Sequence, residues 1–118
     1  MHSPVLLTRV DRSSGSLVVT VSGPLTTYEH VEALKQLLDA VPTGYSLVIE
    51  LDAMIALSAM SLRSLRVLAE AAIGQGIRLI LVSESIDVRA NLMLADLDSL
   101  APVLPTLAQA NHVLAAAA

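Results

Sequence analysis

Cysteine is absent from this 118-residue chain, which excludes disulfides, thiol redox chemistry and zinc–thiolate sites. Phenylalanine and tryptophan are absent as well, and Tyr28 and Tyr45 are the two tyrosines. A core must therefore be built from Leu, Val, Ile, Met and Ala. Charge is sparse: 15% of the residues are charged and 54% hydrophobic, so apolar surface is left for a partner to cover. Seven basic residues against eleven acidic ones give a net charge of −4. Without a basic stripe or stacking aromatics, no nucleic-acid partner is expected. No run reaches eighteen apolar residues, so direct membrane insertion is not expected either. The opening "MHSPVLLTRVDR" lacks the apolar centre of a signal peptide, and a cytoplasmic location is the expectation. The length suits one domain over residues 1–118, able to hide roughly two-thirds of its unfolded surface.

Periodicity supplies the elements. Residues 4–10 and 16–22 are β-branched and partly alternating, with the turn "DRSSG" between them, which predicts a hairpin with Leu17, Val19 and Val21 on one face. Gly23 and Pro24 stop the second strand. Thr26 or Thr27 can cap a helix that carries Val31, Leu34, Leu38 and Val41 at spacings of three and four, ended by Pro42, Thr43 and Gly44. Tyr45 to Leu51 is nearly continuous in apolar character, the pattern of a strand buried on both faces. A second helix, from about Ser61 to Ala72, turns Leu62, Leu65, Leu68 or Ala69, and Ala72 inward, and Gly74 and Gly76 end it.

A further core strand follows at 77–83, then a helix in "SIDVRANLMLADL" that begins near Ser85 or Asp87. A short "APVLPTL" segment leads to a last helix from about Thr106, and the uncharged, uncapped "LAAAA" end is expected to fray. The fold class is thus α/β: a mixed sheet of four to five strands, an antiparallel opening hairpin, and about four helices packed on it.

Catalytic patterns are missing. His2, His30 and His112 stand far apart and outside metal-ligand spacings, and Glu29 and Glu32 around His30 read as an exposed acidic helix face. Neither "GPLTTY" nor "GQGIRL" ends as a phosphate loop does. The junction "ALSAMSLRSL" (56–65) carries two hydroxyls, Ser58 and Ser61, where α/β proteins often place chemistry. It is not a nucleophile elbow, and no histidine falls at a strand end within easy reach. Ser58 instead reads as a helix cap. Met60 beside it either faces a partner or packs inward. No enzyme activity and no cofactor are expected.

The segment "LVIELDAMIALSAMSLRSLRVLAEAAIGQGIRLILVS" resembles the centre of STAS domains, the fold of bacterial anti-sigma factor antagonists. Counted without gaps, Glu50-Leu51 stands at the family's Asp-Leu, and Ser58, Ala59, Met60, Ser61 and Leu62 stand at its Asp-Ser-Ser/Thr-Gly-Leu. "VSGPLTTYEHVEAL" is similar to the family's Gly-x-Leu-Asp turn and first helix, with Thr26 at the usual Asp. "IDVRANLMLADLDSLAPVLPTLAQA" is similar to the third helix, the Gly-Leu break (Asp96-Leu97 here) and the closing strand and helix.

The resemblance implies a partner-binding loop made of Thr26, Ser58, Ala59, Met60, Ser61 and Leu62. In the family, the serine at the position of Ala59 is phosphorylated by an anti-sigma factor that is also a kinase; alanine has no hydroxyl to modify. The implied partner is such an anti-sigma factor/serine kinase. Two other readings are a STAS subunit of a phospholipid-type ABC transport complex, bound to a transporter subunit, and a nucleotide- or small-ligand-sensing module. A homodimer is compatible with all three.

Overall fold

The computed structural model describes residues 5–116, which form an α/β structure. His2, Pro4 at the start of the expected first strand, and the last two alanines of the tail lie outside this range. In chain order come β1 (Val5–Asp11), β2 (Ser16–Ser22), β3 (Pro24–Leu25), α1 (Tyr28–Lys35), β4 (Ser46–Leu51), β5 (Ala56–Leu57), α2 (Ala59–Gly74), β6 (Leu79–Val82), α3 (Ile86–Leu94), β7 (Val103–Leu104) and α4 (Leu107–Ala116). Five strands make one mixed sheet in the order β1-β2-β4-β6-β7. β1 and β2 pair antiparallel, with Val10 opposite Leu17 and Leu6 opposite Val21. The other pairs are parallel, with Val19 beside Ile49 and Ile49 beside Leu81.

The period of two along each strand divides the core. Leu17, Val19, Val21, Leu47, Ile49, Leu51 and Leu81 face α1, α2 and α3, and meet Leu34, Leu65, Leu68, Ala72, Val88 and Leu92. Val18, Val48, Ile80 and Val82 face the other way, where Ala110 and Leu114 of α4 cover them. Both faces of β2, β4 and β6 are therefore buried, as their unbroken apolar runs require. The hairpin turn is tied by Asp11, whose carboxylate accepts hydrogen bonds from the Ser13 hydroxyl (2.6 Å) and from the Ser13 and Ser14 amides (3.0 and 3.3 Å). These bonds, led by the Ser13 hydroxyl, hold the carboxyl below its ordinary value.

The structure departs from the periodic reading in three places. The first helix does not run unbroken to Val41: it tightens after Lys35 into a 3-10 turn, Gln36–Ala40. Val41 precedes Pro42 and is held extended (φ −71°, ψ 121°), so the last turn must close before it. The second helix begins at Ala59, directly after the Ser58 cap expected from the sequence, and so two residues before the periodic pattern that starts near Ser61. β3 and β5 are two residues each, too short to leave a periodic trace. Gly76 ends α2 in the left-handed conformation (φ +73°). There the Gly76 amide donates to the Ile73 carbonyl and the Ile77 amide to the Ala72 carbonyl, a Schellman closure.

Candidate interaction surface

β4 delivers the chain to the carboxyl end of the sheet, where Asp52 makes a tight turn. Its carboxylate accepts from the Met54 amide (2.8 Å) and its carbonyl from the Ile55 amide (3.0 Å). This leaves Met54 at the tip, 89% exposed, while Ile55 anchors the loop in the core. The next two residues form β5, which pairs with β3, and this two-stranded parallel clip brings the loop before α1 against the loop before α2.

The junction then closes on itself. Ser58 is extended (φ −118°, ψ 167°) and caps α2: its Oγ accepts from the Ser61 amide (3.1 Å), and Ser61 Oγ accepts from the Ser58 amide (2.7 Å). This is a capping box with serine at its third helical position. Each hydroxyl has one proton, and both are used. Ser58 Oγ donates to the Thr26 carbonyl at 2.8 Å, and Ser61 Oγ donates to the Ser58 carbonyl at 2.8 Å. Ser61 is fully buried. The two hydroxyls hold the loops together.

Of the two threonines, Thr27 is the cap of α1. Its hydroxyl accepts from the His30 amide (3.3 Å), and His30 Nδ1 accepts from the Thr27 amide (3.3 Å) and the Thr26 amide (3.1 Å). Thr26 contributes through its backbone, its amide bound to His30 and its carbonyl to Ser58. His30 therefore has a structural task that its position between Glu29 and Glu32 did not disclose. The spacing of three from Thr27 is the signal, with histidine in place of the usual Glu or Gln. Along the same helix, Tyr28 is hydrogen-bonded to Glu32, which raises the phenol above its ordinary value.

The structure brings Thr26, Ser58, Ala59, Met60, Ser61 and Leu62 together at one end of the molecule. Ala59 and Met60 are solvent-exposed in the first turn of α2. Met60, for which two orientations were open, points outward and is 56% exposed. Leu62 is half-buried and packs against the main core. From Ala59 a groove of about 370 Å³ runs between α2 and α3, with Leu62 and Ala95 at its floor and Arg63 and Leu94 at its margins. Leu94, 86% exposed, was not anticipated from sequence, since an apolar residue on the outer side of a helix leaves no periodic mark, and Arg63 reads in sequence as an ordinary solvated charge. A larger cavity, about 470 Å³, lies at the opposite end of the parallel strands between Pro42–Ser46 and Gln75–Arg78. It touches none of these residues and sits away from the carboxyl ends where α/β sheets bind ligands.

Among the described residues no helix is long and apolar enough to cross a membrane, and no three His, Cys, Asp or Glu side chains gather as a metal site. Residue Asp96, at the family's Gly-Leu break, adopts the left-handed conformation (φ +61°) that glycine takes without cost.

The five-stranded mixed sheet, its hairpin edge and the capped helix start at the carboxyl end of β4 define an α/β fold. The sequence model of the STAS domain matches residues 8–110, and the chain belongs to the STAS domain family. A crystal structure of a candidate anti-sigma factor antagonist from Thermotoga maritima superposes with a TM-score of 0.67 at 19% identity, covering 92% of this chain and 93% of that one. The NMR structure of the same Thermotoga protein gives 0.66 at 21% identity, covering 97% and 91%. None of the curated proteins compared with the chain matches it.

Proposed function

We propose that this chain is a single non-catalytic STAS domain that acts in the cytoplasm by binding a protein partner, in the manner of an anti-sigma factor antagonist. Its contact face is the first turn of α2 with the adjoining Thr26 loop, and phosphate at position 59 does not switch it. One observation carries the reading. The residue at the family's phosphorylation position is Ala59, exposed and without a hydroxyl, while the neighbouring hydroxyls of Ser58 and Ser61 are both committed to the capping box. A kinase would have to open the first turn of α2 to reach Ser61, and break the tie to Thr26 to reach Ser58. The exposed Met60 in this turn, and Met54 at the tip of the loop that precedes it, supply adaptable apolar contact.

The test is binding to a kinase-type anti-sigma factor from the same organism, measured by calorimetry with and without ATP. The expected outcome is a complex insensitive to ATP, with no phosphate on Ser58 or Ser61 by mass spectrometry. Ala59→Glu weakens the complex by adding charge at the centre of the face. Stoichiometric phosphate on either serine overturns the unswitched reading. Binding to a transporter subunit in place of the anti-sigma factor would move the same face to the transport role, and a rise in melting temperature with nucleotide would favour the sensor.

A further inference from the structure

The two edges of the sheet are built differently. β7 is two residues long and lies between Pro102 and Pro105, so it offers almost no free ladder and cannot extend it. β1 is less protected: Pro4 precedes it in the sequence, but no proline stands within it or directly after it. It runs seven residues, its register against β2 is unbroken from Val5 to Asp11, and it contains no proline and no lysine. Among the described residues no other strand pairs with its outer edge. Apolar side chains stand exposed on both of its faces: Leu7 at 64% on the face covered further along by α4, and Val10 at 51% on the face of the main core.

From this contrast we propose that β1 is a dimerisation strand, pairing antiparallel with β1 of a second copy about a two-fold axis through Thr8. The strand is self-complementary in that register. Leu6 lies opposite Val10 of the other copy, which covers Val10 at the margin of the core, and Thr8 meets its own symmetry mate, a favourable cross-strand pair. Leu7 lies opposite Arg9 of the other copy, its apolar surface along the aliphatic stem of a side chain that is 56% exposed in the single chain. No two like charges stand directly opposite. The result is one continuous ten-stranded sheet. Because the β7 edge is closed, pairing stops at two copies and does not propagate into a fibre. The face at the start of α2 is not part of this contact, so the inference is independent of the proposed partner.

The experiment is analytical ultracentrifugation of the purified chain from about 1 to about 200 µM, a range that brackets ordinary self-association. The chain should sediment as a dimer, twice the 12.4 kDa of one copy. Leu7→Lys places two like-charge pairs against Arg9 of the other copy and should raise the dissociation constant roughly ten-fold or more. Leu7→Glu, at the same exposed position and equally harmless to the single chain, places opposite charges there and should leave the dimer intact. A wild-type monomer across the range, or a dimer indifferent to Leu7→Lys, overturns the proposal. Equal dissociation of both variants overturns the register.

Discussion

Replacing Ser58 by alanine removes two interactions with one oxygen atom. The first is the N-cap of α2, the bond from the Ser61 amide at 3.1 Å, whose loss costs about 1 kcal/mol. The second is the bond to the Thr26 carbonyl at 2.8 Å, which ties the two loops and contributes about 1 kcal/mol more. The sum, about 2 kcal/mol, should lower the melting temperature by roughly 6–12 °C for a domain of this size. Urea unfolding followed by far-ultraviolet circular dichroism gives the free energy, with an unchanged m-value showing that the unfolded state is unaltered. Ser58→Asp separates the two parts. A carboxylate still accepts from the Ser61 amide and favours the helix N-terminus, but it has no proton for the Thr26 carbonyl. It should fall between alanine and wild type, at a loss of about 1 kcal/mol. A Ser58→Ala protein within about 0.5 kcal/mol of wild type, the ordinary spread of surface substitutions, would refute the claim that this hydroxyl holds the loops together.

Ala59→Glu should weaken partner binding while leaving stability unchanged or raising it by about 0.5 kcal/mol, because an acidic side chain at a helix N-terminus is favourable; thermal melts beside the calorimetry check that the lost binding is not unfolding. Asp96→Gly should stabilise the chain by up to about 1 kcal/mol by relieving the left-handed backbone, while Asp96→Ala should not, as denaturant titration of both will show. The depressed carboxyl of Asp11 stabilises the native state above the unfolded value and loses that contribution as pH falls through its lower folded value. Stability should therefore decline with acid below about pH 4, and Asp11→Asn should remove part of that decline in melting temperatures measured from pH 6 to 2.5.

Periodicity and punctuation made most of the scaffold legible in the sequence. The alternation in Leu17, Val19 and Val21 and the spacing of Leu65, Leu68 and Ala72 are consequences of burial on one face, and they survive as patterns in the chain. The site was legible only in part. Ser58 could be read as a cap because serine before a helical pattern has few other uses. The orientation of Met60 could not, since an apolar residue in a first helical turn fits a core or a surface equally well. The placing of Leu94 and Arg63 was hidden as well: only the packing of α3 against α2 leaves them lining a groove.

The sequence by itself determined the order of elements, the two-sided burial of the central strands, the absence of a hydroxyl at position 59, and the Thr27-to-His30 and Ser58-to-Ser61 spacings that capping boxes need. Each is local, written within one turn of helix or one run of strand, where neighbouring residues are the chief influence on one another. Only the tertiary structure decided that the Ser58 hydroxyl reaches the carbonyl of Thr26, 32 residues earlier, through a clip of two-residue strands too short to announce themselves. It also decided which sheet edge is closed and which is open. Pairing between distant segments depends on the whole core collapsing into one register, and no stretch of the chain carries that information alone.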